Sequence, residues 1–85
     1  MREDKAGDGM IVEGDKIPDA VVEQFTAKVL QQREPFRSGE AVRLAKSLHE
    51  FTGEYTPNRF VDRVLQKLRK AGKTHFGAGY WSVLG

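Results

Sequence analysis

The fold is decided by the stretch Thr56-Pro57-Asn58-Arg59-Phe60-Val61-Asp62-Arg63-Val64-Leu65-Gln66-Lys67-Leu68-Arg69-Lys70-Ala71-Gly72. Thr56 followed by Pro57 is a helix-start signal. Threonine is a candidate N-cap, and proline at the first helical position gives up only an N–H that has no intrahelical partner there. At the far end Arg69 and Lys70 suit the negative end of the helix dipole. Gly72 lies just beyond, where a left-handed residue favours glycine. Between these ends Phe60, Val61, Val64, Leu65 and Leu68 recur at helical spacing and make one apolar stripe. Asn58, Arg59, Arg63, Gln66, Lys67 and Lys70 lie opposite, with Asp62 among them. The spacing predicts a helix over residues 57–71, one side built for burial and the other for something negative.

Working outward, 85 residues make one small domain plus, at most, a tail. With 39% hydrophobic residues the core is thin, and a core of this size contributes about 3–5 kcal/mol net. There is no cysteine, hence no disulfide scaffold and no thiolate metal site. No apolar run approaches a membrane span and the polar N-terminus has no signal-peptide core, so a soluble, cytoplasmic protein is expected, with no membrane partner.

The net charge of +2 conceals an uneven distribution. Residues 1–20 hold Arg2, Lys5 and Lys16 against Glu3, Asp4, Asp8, Glu13, Asp15 and Asp19, net −3. Residues 57–75 hold Arg59, Arg63, Lys67, Arg69, Lys70 and Lys73 against Asp62, net +5. The positive excess therefore sits on the central helix and the few residues just beyond it, which points to an anionic partner.

Residues 1–16 are charged, contain Gly7, Gly9 and Gly14, and lack hydrophobic periodicity apart from Met10-Ile11-Val12. They read as a flexible acidic tail, dispensable for folding, with the domain proper over residues 17–85. A first helix starts near Pro18-Asp19, with Val21, Val22, Phe25, Val29 and Leu30 on its apolar face, and Glu34-Pro35 ends it. Pro35-Phe36-Arg37 reads as extended, with Phe36 turned inward. Ser38 looks like the N-cap of a second helix that carries Ala41, Val42, Leu44, Ala45 and Leu48 and ends near His49-Glu50. A turn punctuated by Gly53 comes next, with Phe51 and Tyr55 expected on the core and Tyr55 stapling the start of the third helix. After Gly72 the period changes from helical to alternating. Lys73–Phe76 and Tyr80–Leu84 are β-prone runs around Gly77-Ala78-Gly79, read as a three-residue hairpin loop, with Phe76, Trp81 and Val83 facing inward.

Helix, extended piece, helix, turn, helix and hairpin give an α+β domain, and the chain here resembles the winged helix-turn-helix superfamily. The resemblance is carried by Pro35-Phe36-Arg37-Ser38-Gly39-Glu40-Ala41, by Thr56 through Gly72 and by Lys73 through Leu84, and it spans residues 18–85. It implies a winged helix-turn-helix fold, three helices with a C-terminal two-stranded β-hairpin wing. It also implies duplex-DNA binding, as in a small transcriptional regulator or a DNA-binding module of a mobile-element system. Some members have become protein-interaction modules instead, and both homodimers and larger protein assemblies are compatible with such a module. Two departures stand out: a long link between helices two and three, and a wing tip without a basic residue.

Duplex DNA demands cations for phosphates, and planar donor–acceptor groups on a rod that fits the major groove. Asn58, Arg59, Asp62, Arg63 and Gln66 lie early on the outward face, where such groups reach base edges. Ser38, Lys67, Lys70 and Lys73 are candidate phosphate contacts, joined by Thr74 and His75 on the hairpin. Three competing readings stand beside this one. The charged face can be merely solvated, it can meet an acidic protein, or the hairpin aromatics can stack on unpaired bases. The aromatics are more readily assigned to the core. His49 and His75 are the only histidines, and no HExxH pair or phosphate-cradling glycine loop is present. No enzymatic role, cofactor or metal is therefore expected.

Overall fold

A computed structural model of the chain describes residues 10–84. The elements in chain order are β1 (Met10–Val12), β2 (Asp15–Ile17), α1 (Asp19–Leu30), α2 (Ser38–Leu48), α3 (Thr56–Lys70), β3 (Thr74–Gly77) and β4 (Tyr80–Val83). β1 pairs antiparallel with β2, and β3 with β4, so two separate hairpins bracket three helices. This is the small α+β domain, three helices and a C-terminal hairpin, that the periodicity predicts. The strands preceding the helices are an addition to that reading.

Helix α3 supplies the centre of the core. Its apolar stripe, Phe60, Val61, Val64, Leu65 and Leu68, is buried throughout. The Phe60 ring lies 5.1 Å from that of Phe25 on α1 and 5.6 Å from that of Phe51 in the α2–α3 link, so it ties three segments together. The C-terminus ends as its sequence predicts. Gly72 has φ +79°, its N–H donates to the Arg69 carbonyl at 3.0 Å, and the Lys73 N–H donates to the Leu68 carbonyl at 2.9 Å. That paired arrangement satisfies carbonyls the helix end would otherwise orphan.

The helix start differs from expectation. Tyr55, not Thr56, occupies the cap position, and no side chain caps the helix. Thr56 is the first helical residue and is buried, because the link passes so close that a Cβ on Gly53 would collide with Thr56 Oγ1. Tyr55 is 68% exposed, so it staples nothing. Ser38 is likewise the first residue of α2 rather than its cap, which is Arg37.

The largest correction concerns the N-terminus. Residues 1–16 do not form a tail throughout: Met10–Ile17 build a hairpin whose inner face joins the core, while residues 1–9 lie outside the described residues. Val12 and Ile17 are fully buried with Phe25, Phe60 and Val64 in one cluster. Each such burial contributes about 1.5–3 kcal/mol. Glu13 (φ +52°) and Gly14 (φ +81°) form the two-residue turn with the φ pattern of type I′. Asp15 anchors the hairpin to the α2–α3 link, its Oδ2 accepting the Thr52 N–H at 3.0 Å. His49 Nε2 lies 3.8 Å from Asp15 Oδ1. Apolar side chains isolated in a charged stretch find their partners only in the tertiary structure, which local patterning does not show.

The C-terminal hairpin is stitched to the segment before α2. Phe36 and Trp81 exchange backbone hydrogen bonds at 2.9 and 2.7 Å, and both side chains are buried. Trp81 Nε1 donates to Ser38 Oγ at 3.3 Å, so Ser38 serves the core tryptophan rather than a helix end. The loop is two residues, Ala78-Gly79, because Gly77 pairs with Tyr80. Phe76 shares the inner face with Trp81, their rings 4.9 Å apart, yet it overhangs near the tip and stays 47% exposed.

Two substitutions test this packing by chemical denaturation. Ile17→Ala should cost about 2–5 kcal/mol, whereas a disordered segment would leave stability unchanged. Trp81→Ala should cost about 3–5 kcal/mol, comparable with the whole stability of so small a domain. A folded Trp81→Ala protein that has lost only binding to unpaired oligonucleotides would contradict the core assignment.

Candidate nucleic-acid interface

Burial of the Phe60–Leu68 stripe fixes how α3 is rolled, and the opposite strip faces solvent. Asn58, Arg59, Asp62, Arg63, Lys67, Arg69 and Lys70 are all exposed, with Gln66 half-buried among them. Every charged side chain that gives residues 57–75 their net +5, Lys73 included, is at the surface. The five residues expected at base edges, Asn58, Arg59, Asp62, Arg63 and Gln66, therefore share one accessible face with Lys67 and Lys70.

Two of them have partners the sequence did not reveal. Gln66 Oε1 accepts from Arg69 Nη1 at 3.2 Å, which orients the amide and brings Arg69 into the cluster. Arg63 Nη1 donates to the Ile11 carbonyl at 3.2 Å, so the N-terminal hairpin holds this guanidinium. The hairpin's register explains why that carbonyl is available. Val12 and Asp15 close the two-residue turn, making Ile11 and Lys16 the next pair, whose backbone groups point away from each other. Arg69 was discoverable from its place in the helical wheel. The Arg63–Ile11 bond was not, since it joins residues 52 positions apart.

The strip and the hairpin together form an open groove of about 830 Å³, lined by Met10, Ile11 and Glu13 on one side and by Arg59, Asp62, Arg63, Gln66, Lys67 and Lys70 on the other. Four cations against two carboxylates leave it electropositive. A concave cationic surface with low-dielectric walls concentrates anions more strongly than a flat one.

The expected phosphate contacts divide. Lys67, Lys70 and Lys73 are exposed and belong to the basic surface. His75 is exposed on the C-terminal hairpin, its ring lying over Gly77, where an added Cβ would come within 3.0 Å of Nε2. Thr74 is corrected: it is 3% exposed and its hydroxyl faces the Leu65 carbonyl at 3.5 Å, so it offers nothing to a ligand. Ser38 is exposed, but its oxygen already accepts from Trp81. Beside it Arg37 stacks on Tyr80, 4.9 Å above the ring centre, and donates to the Tyr80 hydroxyl at 3.0 Å. This fixes a further cation on the outer face of the C-terminal hairpin.

Among the described residues no group of three His, Cys, Asp or Glu side chains is placed to hold a metal ion, and no helix is long and apolar enough to cross a membrane. Comparison with protein-family models, with curated proteins and with solved structures finds no match to this chain.

Proposed function

We propose that this domain is a winged helix-turn-helix module that binds duplex DNA, with α3 in the major groove and no catalytic role of its own. The observation that carries the reading is the division of α3 into two faces. One face is locked in the core; the other exposes Arg59, Arg63, Lys67, Arg69 and Lys70 beside Asn58, Asp62 and Gln66. A straight helix about 10–12 Å across fits a major groove about 12 Å wide. On this reading the β3–β4 hairpin is the wing, and Lys73 and His75 approach the backbone beside the helix.

Roles on the helix are set by reach. Asn58, Arg59 and Asp62 lie in its first half, the part that meets base edges in helix-turn-helix docking, and Gln66 comes one turn later. Arg59 suits guanine O6 and N7, and Asn58 suits adenine N6 and N7. Asp62 accepts from cytosine N4, which gives an acid a place in an otherwise cationic strip. Arg63 is tied to Ile11 and stands at the edge of the strip, so it joins Lys67 and Lys70 as a phosphate-holding cation. Phosphate contacts set position and salt dependence, whereas base-edge pairs set sequence.

Alanine variants separate the two classes. Arg59→Ala should lose about 1–3 kcal/mol at a preferred site and relax base choice there. Lys67→Ala and Lys70→Ala should weaken all duplexes alike and flatten the salt slope by about 0.9 each. Equal effects of all three on every duplex would mean that α3 lies along the backbone rather than in the groove. If an acidic polypeptide competes fully and no duplex binds, the same face serves a protein partner.

A further inference from the structure

We infer that the N-terminal hairpin, β1–β2, is a second DNA-contacting element, and that the groove between it and α3 receives the phosphodiester backbone of one strand of the duplex. The inference rests on the proposed role of α3 and extends the interface to a part of the chain that looks, in sequence, like a tail.

The first ground is placement. Arg63 touches the N-terminal hairpin, and Leu65 touches Thr74 of the C-terminal one. These residues are two apart and so about 200° around the helix. The two hairpins therefore flank α3 on opposite sides, with the exposed strip between them. A helix seated in a major groove has a phosphate backbone on each side, and one hairpin stands at each.

The second ground is the row of cations along the groove. Arg63, Lys67 and Lys70, the cations proposed to hold phosphates, line it in steps of four and three residues, rises of about 6 and 4.5 Å along the axis. A row of this kind tracks a linear polyanion; a single acidic side chain would use one or two of its members. Arg63 is held in place by the Ile11 carbonyl, so part of the ordering a phosphate would otherwise impose is already complete.

The third ground is the outer face of the hairpin itself. Ile11 is 62% exposed, and its cross-strand partner is the exposed Lys16. Core-facing Val12 and Ile17 show that the hairpin can bury its apolar residues, so Ile11 is left out by register rather than by lack of a core. An apolar body beside an ammonium matches a nucleic-acid backbone, in which sugar C–H surface alternates with phosphate. Of the two carboxylates on the groove, Asp62 is the one proposed to face cytosine, and Glu13 at the turn opposes phosphate.

The absence of cysteine makes the test clean, since one introduced thiol is the only one present. The full chain carrying Glu13→Cys, labelled with a tethered iron chelate that generates hydroxyl radicals, should cut a bound random-sequence duplex several-fold more than the same label on Gln24→Cys, an exposed α1 site. Lys16→Ala should flatten the salt slope of duplex binding by about 0.9 without altering base preference. The inference is overturned if the unmodified protein binds duplex but the Glu13→Cys label cuts no more than the Gln24→Cys label and Lys16→Ala leaves the slope unchanged; DNA binding by α3 then stands alone. If the unmodified protein binds no duplex, both readings fall together.

Discussion

The Phe60 ring, packed between Phe25 and Phe51, is the contact on which the rest of the structure depends. It joins α3 to α1 and to the link from α2, and the neighbouring Val64 shares its cluster with Val12 and Ile17 of the N-terminal hairpin. In a domain with so little apolar material, one side of α3 has to be committed entirely to this cluster. The roll of the helix is a consequence of that commitment. The polar and cationic residues between the buried ones then have a single direction left and converge on one strip, where Arg63 is further held by the Ile11 carbonyl and Gln66 by Arg69.

The two hairpins frame that strip by different means. The C-terminal one is fastened through backbone hydrogen bonds between Phe36 and Trp81 and through the Trp81–Ser38 bond, which makes it an extension of the segment before α2. The N-terminal one is fastened through burial of Val12 and Ile17 and through Asp15, which accepts from the α2–α3 link. Its Ile11 carbonyl then reaches Arg63. Burial of Val12 and Ile17 on the inner side of this hairpin thus sets the geometry of a guanidinium on the exposed strip of α3.

How much of this was legible in the sequence depended on whether the signal was local. The α3 stripe, its glycine terminus, the buried Phe36 and Trp81 and the change of period after Gly72 all rest on neighbours a few residues apart, and each is found where patterning puts it. Most of the failures are long-range; the one-residue shift of the Ser38 cap and the two-residue β3–β4 loop are local. Thr56 carries a capping side chain but is drawn into the helix and the core by the approach of Gly53. Thr74 lies two residues before Phe76 and across from Val83, so alternation already puts it on the inward face, where it sits against Leu65. The N-terminal hairpin is inconspicuous in the sequence because only Met10, Val12 and Ile17 mark it among charges. Its Glu13-Gly14 turn lacks the asparagine or aspartate that makes such turns conspicuous. At the candidate site the exposed residues were identifiable from the helical wheel, whereas the groove was not, since its second wall comes from a stretch 52 residues away from Arg63.

Engagement of duplex DNA by the exposed strip of α3, through several phosphates at once, is what the proposed function requires. It is tested most directly by titrating the unmodified protein with a random-sequence duplex at a series of salt concentrations, with an acidic polypeptide as the matched control. Phosphate contacts by Arg63, Lys67, Lys70 and Lys73 predict a log–log salt slope of roughly −3.6, at about −0.9 for each phosphate, with the duplex bound more tightly than the polypeptide at every salt concentration. Absence of duplex binding at the lowest salt, or binding no tighter than that of the polypeptide, would contradict the account.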